Sequence, residues 1–598
     1  MDIKNNSGLR LPERTAAPGD SFLTTPKAVE SWIQGLPTAN VTETSRQIFK
    51  ALVEFNRLEV NDVSRLKVAE LFNEPVWYIS QNLRKSYSDA RFPLSAKARK
   101  TAVLNRELYA ELAISYKIYI RQTISGKLRR FGRKLLITAI HRAMQSLYRV
   151  LYHAASIYDP YPPHTWNEIY WLYSYAEQQQ ILDIPIEEGS VRQRGSTIGQ
   201  LFRQILLFAI HTPYRLRQSE MDLIDEKLPE WAEKTVLGPA DFRSDSEALF
   251  IVNLNEDSPP ARISALAEPA DKSCRGLDIG KYFQFLRDEQ DRIQTAEGAS
   301  GQLNANDLTW GQLPGKFLQL LNQTPDRKFV RTQLNFELPV TVGLSTIHHL
   351  LSAESGAGTD SGESYGNGNY QLGRGDSSPP MAPPRYTATD TPDFSLIPMG
   401  QEVDGAMHVI TQREKNDYGA GTPPVWTKTT PEESQESVVL KTCNESAGGY
   451  CIEWSGPETP GIKVGEILGI QSTRNKGRFS IGKCQWIRNV PGQGLQIGMQ
   501  IASPTSSAVT LQLMETDSDM GSVEKGLLLP ELKSLGQGAT VVVSALSFKV
   551  GDRLWLREAS GERQIRLTRL LESSGAFAQF LFLDINRRTE RPQHPGNY

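Results

Sequence analysis

The sequence predicts an α+β multidomain protein in which an N-terminal α-helical bundle or array precedes a C-terminal antiparallel β-barrel carrying an additional β unit. Three observations carry this reading. From about Thr25 to Thr235, apolar residues recur at the three- and four-residue spacing of helices. From Phe336 to Ile585 the pattern turns to short runs of β-branched and apolar residues bounded by Gly and polar turns. The length of 598 residues suits roughly two to four domains with more than one core.

Charge is nearly balanced, 66 Lys and Arg against 68 Asp and Glu, so no global field favours nucleic acid or an acidic membrane. The N-terminal MDIKNNSGLRLPERTAAPGDS lacks the apolar core of a signal peptide. No run approaches the roughly 18 apolar residues of a membrane span. These features point to a cytoplasmic protein with no transmembrane segment. Cys274, Cys443, Cys451 and Cys484 show no CxxC spacing and are expected as reduced, partly buried thiols.

In chain order, residues 1–25 read as a disordered tail and 26–235 as the α-helical domain. Asn40-Val-Thr-Glu43 is a variant capping box, and Ile48, Ala51, Leu52, Phe55 and Leu58 share one face of the helix after it. Apolar stripes follow at 98–124, 133–157, 165–182, 196–211 and 219–234, separated by breakers such as Pro160, Pro162, Pro163 and Pro213. Trp166, Ile169, Tyr170 and Tyr173 have the spacing that opens a tetratricopeptide unit, but no second copy follows, so a single helix with a buried aromatic face is expected.

No acid occurs between Leu112 and Tyr158, whereas Lys117, Arg121, Lys127, Arg129, Arg130, Arg133, Lys134, Arg142 and Arg149 are basic. Such a face suits an acidic partner, a membrane surface or RNA. With Ile118, Ile120, Leu128, Leu135, Ile137 and Ile140 taken as core, the cations are expected on the solvated back of two helices. No reader motif for DNA accompanies them.

Residues 236–324 read as an α+β connector. Strands are expected in LFIVNL from Leu249 and ARISAL from Ala261, and a helix in LDIGKYFQFLRDEQDRI from Leu277. A further helix stops near Thr324-Pro325.

Two short stretches carry chemistry. Val438–Trp454 reads as two strands joined by a turn at Asn444-Glu-Ser446-Ala-Gly-Gly449, where Asn444 offers an amide, Ser446 a hydroxyl and the glycines close approach. Arg327 and Arg331 lie on a non-helical arm before the strand Phe336–Val342, placed to stack on a planar ligand and to pair with phosphate or a guanine edge. Either stretch alone is an ordinary turn or an ordinary surface loop.

Together, an RxxxR arm before the first strand and [D/N]xSxxG on a strand turn resemble the bacterial PilZ domain, the receptor module for cyclic di-GMP. Cys484-Gln-Trp486 and Leu495-Gln-Ile-Gly-Met-Gln-Ile501 resemble its closing strands. The resemblance implies a PilZ-like barrel over 325–354 and 436–503 and assigns Arg327, Arg331, Asn444, Ser446 and Gly449 to the ligand. In the family the arginines engage guanine and phosphate, the Asn and Ser contact guanine or phosphate, and the Gly permits close approach. Arginine rather than lysine suits two phosphates and broad π faces.

Arg331 and Asn444 are separated by the segment 355–435, read as a flexible insertion because Gly, Ser and Asn dominate it from Ser355 to Pro380, and GLSTIHHLLSA at 343–353 reads as a helix before it. Residues 504–586 supply the additional β-strand unit and 587–598 a tail. Gly477-Arg-Phe-Ser-Ile-Gly482-Lys483-Cys484 nearly matches a Walker A loop but lacks the final hydroxyl and a following helix. His348-His349 is read as an ordinary helix end without metal, and Arg374-Gly-Asp376 as a chance tripeptide. No catalytic constellation or cofactor is seen. The expected function is a cyclic di-GMP receptor or adaptor, not an enzyme, that signals through its helical region to a protein partner in pili, attachment or motility. The alternatives are a PilZ-fold scaffold without nucleotide, and an RNA or membrane-surface binder using 117–149.

Overall fold

The helical region begins with α1 (Pro26–Gln34), α2 (Val41–Arg57) and α3 (Asp62–Arg84), whose short flanking strands β1 (Thr15–Ala16) and β2 (Leu58–Glu59) pair in parallel. It continues through α4 (Ala96–Ser125), α5 (Arg133–Ser156), α6 (Thr165–Gln178), α7 (Ile198–Ile210) and α8 (Gln218–Trp231). The structure, a computed structural model, describes residues 8–17, 21–125, 132–186, 196–240, 249–262, 272–299, 305–322, 336–356, 437–446, 448–454, 460–471, 479–514, 522–532, 536–545 and 547–585. Lys127, Leu128, Arg129, Arg130, the tripeptide at 374–376 and the segment 357–436 lie outside them.

Local chemistry sets the helix starts. Asn40 Oδ1 accepts from Glu43 N at 3.1 Å, which is half of the expected box, and Asn61 does the same for Ser64 N at 2.9 Å. Thr197 and Gln200 form the full reciprocal box at α7. α6 is buried on every side, from Thr165 to Ala176, so the expected aromatic face is a whole aromatic helix inside the bundle.

The basic face differs from expectation. Lys117 is buried and donates to both oxygens of buried Glu168, at 2.7 and 2.8 Å. Arg142 is buried beside Glu70, and Arg149 donates to Asp225 at 2.6 Å. A stretch without acids recruits them from other helices, because a buried cation requires a partner. Leu135, expected in the core, is exposed, while Ile118, Ile120, Ile137 and Ile140 are buried.

The next region pairs β3 (Val236–Pro239), β4 (Leu249–Asn253), β5 (Ala261–Arg262) and β6 (Cys274–Asp278) in the order β3-β6-β4-β5, with α9 (Gly280–Ala299) and α10 (Ala305–Asn322). Leu277 is therefore a strand residue and not the start of a helix. Asp278 accepts from Gly280 N at 2.7 Å and sets the helix start there. His211 sits at the centre of this packing, bonded to Leu207 O and to Tyr282 Oη and edge-on to Phe317.

Two closed six-stranded antiparallel barrels follow. The first comprises β7 (Glu337–Val342), β8 (Val438–Ser446), β9 (Gly449–Trp454), β10 (Ile467–Gln471), β11 (Phe479–Val490) and β12 (Gly494–Ser503), ordered β10-β11-β12-β9-β8-β7. Between β7 and β8 the chain forms α11 (Leu344–Gly356). The second contains β13 (Ser507–Leu513), β14 (Val523–Leu529), β15 (Thr540–Ser544), β16 (Arg553–Glu558), β17 (Gly561–Ser573) and β18 (Phe577–Asp584).

α11 joins the barrels. Leu344, Ile347 and Leu351 form one apolar cluster with Ile467, Phe479 and Ile481 of the first barrel and Leu527, Val542 and Phe577 of the second. His348 lies within this helix, not at its end, and its Nε2 bonds to Val509 O at 3.1 Å. The helical region meets the first barrel where Phe92 and Ile462 exchange backbone bonds and where Arg217 donates to Val464 O at 2.7 Å. Cys274, Cys451 and Cys484 are buried thiols, and Cys443 is half-buried.

Candidate ligand-binding site

β8 and β9 pair antiparallel, but Cys443 is an extra residue between the pairs Thr442–Ile452 and Asn444–Cys451. This bulge resets the alternation of the strand. Thr442 faces the barrel interior with Ile452 and Trp454, whereas Lys441, Asn444 and Ser446 share the outer face. Asn444 and Ser446 are strand residues, since β8 runs to Ser446 and β9 begins at Gly449.

The pairing extends this face across four strands. One row runs Asn444, Cys451, Gly498, Trp486, and the next Ser446, Gly449, Gln500, Lys483. A Cβ on Gly498 would stand 1.8 Å from the Trp486 indole nitrogen, so the half-exposed ring lies flat across the glycine. The face thus combines amide and hydroxyl groups at one edge with an aromatic plate and a cation at the other.

Gly449 adopts φ +156°, and a Cβ there would stand 1.9 Å from Met499 O. The close approach it permits in this structure is that of β12's backbone. Ser446 Oγ donates to Gly449 O at 3.3 Å.

Arg327 and Arg331 lie outside the described residues, but the root of their arm is defined. Phe336 N donates to Thr442 Oγ1 at 3.1 Å, and its carbonyl accepts from Thr442 N at 3.0 Å and from Thr442 Oγ1 at 3.1 Å. The Phe336 ring meets Tyr450 edge-on at 6.4 Å. Burial, with Glu445 alongside, pushes the Tyr450 phenol up to about 12, so it stays a neutral wall. Arg331 is five positions before Phe336, a reach of at most about 18 Å. Phe336 is thus bonded to a residue two positions from Asn444.

Sequence reasoning assigned no ligand role to Trp486, Gln500 or Lys483. Trp486 was legible only as a strand marker, and the row that unites these residues depends on strand register. The near-match to a Walker A loop is strand from Phe479 onward, with Gly482 and Lys483 inside β11. Among the described residues, no group of three or more His, Cys, Asp or Glu is placed to hold a metal. None of the described helices is long and apolar enough to cross a membrane.

Three family models match the chain in succession. The N-terminal domain of the cyclic-di-GMP receptor FimW matches residues 27–241, its middle PilZ domain 249–508, and its C-terminal beta-barrel domain 509–585. The cyclic-di-GMP receptor FimW of Pseudomonas aeruginosa is 25% identical over 605 aligned positions, which cover 98% of this chain and 95% of that protein. No solved structure matches.

Proposed function

The chain belongs to the PilZ-domain family described by the FimW receptors, and from that membership we propose that it is itself a cyclic di-GMP receptor. Arg327 and Arg331 engage guanine and phosphate, while Asn444 and Ser446 bond the base or phosphate edge. Gly449 keeps the sheet beneath them closely packed. The observation that supports this reading is the grip of Thr442 on Phe336, which fixes the residue five positions after Arg331 within two residues of Asn444.

The protein acts as a cytoplasmic adaptor and not as an enzyme. Ligand orders the arm, and the arm follows α10, which packs on the helical region through Phe317 and through Lys316 bonded to Glu220. The helical region passes the signal to a protein partner that controls pili, attachment or motility. Calorimetry with cyclic di-GMP tests the first step. Wild type should bind, and Arg327→Ala, Arg331→Ala and Ser446→Ala should each weaken binding at least about tenfold, the loss expected for one charge-assisted contact. A wild-type protein that binds no better than these variants would return the chain to a scaffold role.

A further inference from the structure

The row that begins at Ser446 and Gly449 continues through Gln500 to Lys483. Three strand spacings of roughly 4.8 Å put Lys483 about 14 Å from Ser446. At that point the second barrel begins. Lys483 Nζ is hydrogen-bonded to Glu572 of β17, and a cavity of about 250 Å³ lies between the barrels. Lys483, Gln500, Gln537, Glu572, Phe577 and Gln579 are among its lining residues. A bulge in the pairing of β11 with β12, between Ile481 and Gly482, falls within this lining, as bulges do where a sheet re-aims its side chains.

We propose that this seam completes the nucleotide site. Lys483 takes a phosphate of the cyclic dinucleotide, and Glu572 accepts from the guanine edge that carries N1–H and the exocyclic amine. The inference rests on the receptor reading given above and adds to it the residues that select guanine.

Four considerations support it. The cavity is smaller than the roughly 300–1,000 Å³ that encloses a whole drug-sized ligand, so it suits one base and not the entire dinucleotide. It is pre-formed, because the apolar cluster around α11 holds the two barrels together, so little ordering cost falls on the ligand. A carboxylate beside an anionic ligand is repelled unless a cation neutralises it, and Lys483 does so here. Finally, the two parallel donors of guanine match the two oxygens of a carboxylate, whereas adenine presents one donor beside an acceptor.

The test is calorimetry on the full chain with cyclic di-GMP and cyclic di-AMP. Wild type should prefer cyclic di-GMP. Glu572→Gln should weaken cyclic di-GMP about 10- to 100-fold while leaving cyclic di-AMP unchanged, and Lys483→Met should weaken both. The exchange Lys483→Glu with Glu572→Lys separates ligand contact from structural pairing. It keeps an ion pair across the seam, so its thermal midpoint should stay near wild type, yet its affinity should remain low. If Glu572→Gln and the exchange bind cyclic di-GMP within twofold of wild type while Arg331→Ala abolishes binding, the seam is not part of the site and the receptor reading stands. If wild type binds no cyclic di-GMP, both fall.

Discussion

One hydroxyl holds both main-chain polar groups of one residue: Thr442 Oγ1 accepts from Phe336 N and donates to Phe336 O, each at 3.1 Å. Thr442→Val keeps the side-chain shape and removes both bonds. We expect a stability loss of about 1 kcal/mol in urea, because Phe336 N loses this acceptor while Phe336 O keeps the bond from Thr442 N. We also expect cyclic di-GMP affinity to fall about tenfold in calorimetry, because the arm then starts from a looser root. Unchanged affinity would mean that the arm is positioned by something other than this contact.

Gly449→Ala places a methyl group against Met499 O, a backbone atom with no rotamer to yield. The expected outcome is a loss of about 2–4 kcal/mol, seen as a lower denaturation midpoint. Any fall in ligand affinity must be compared with that loss before Gly449 is given a direct ligand role. A variant as stable as wild type would contradict the packing described.

The Lys117–Glu168 pair is buried, and Glu168 also accepts from Arg10 N at 2.8 Å. Lys117→Met should cost about 3–5 kcal/mol, because it strands a carboxylate in the bundle. Lys117→Met with Glu168→Leu should recover most of that loss. If the double variant is no more stable than the single one, the cost does not arise from the uncompensated charge.

Burial holds the imidazoles of His141 and His211 far below their ordinary range, to about 3 and about 4, with Arg142 adding to the effect at His141. His153 is lowered in the same direction by burial and by Arg84, Arg149 and Arg106. The unfolded chain therefore binds protons first as pH falls below about 6.5. Stability from these groups is complete above that value and declines below it, until the folded imidazoles themselves protonate. Each group contributes a slope of at most about 1.4 kcal/mol per pH unit. Urea midpoints at pH 7, 6 and 5 should fall progressively, and a flat profile would exclude neutral burial of these residues.

Much of the fold was legible because its signals are local. Asn40 and the breakers around Pro160 mark helix ends within a few residues of themselves, and the boundaries at Arg133 and Thr165 follow. The strands around Asn444 and Trp486 were equally plain from their own alternation. What escaped depends on contacts between distant residues. Nothing near Lys117 announces Glu168, and Leu277 reads as helix until its pairing with Leu237 and Phe250 is known. The same holds for the site: Asn444 and Ser446 stand out by type and spacing. Lys483 acquires meaning only through registers that bring it opposite Gln500 and then against another barrel.

β7 and β8 are neighbours in the closed barrel, yet the chain runs from Val342 to Val438 before the pairing can form. At translation speeds of about 5–20 residues per second, several seconds pass with β7 synthesised and its neighbour absent. α11 waits longer still, since Phe577 of β18 emerges last among its partners. During biosynthesis the nascent chain thus presents an unpaired strand edge and an uncovered apolar helix together. Its vulnerability to misassembly should be greatest in that interval, before ligand has any bearing on the protein.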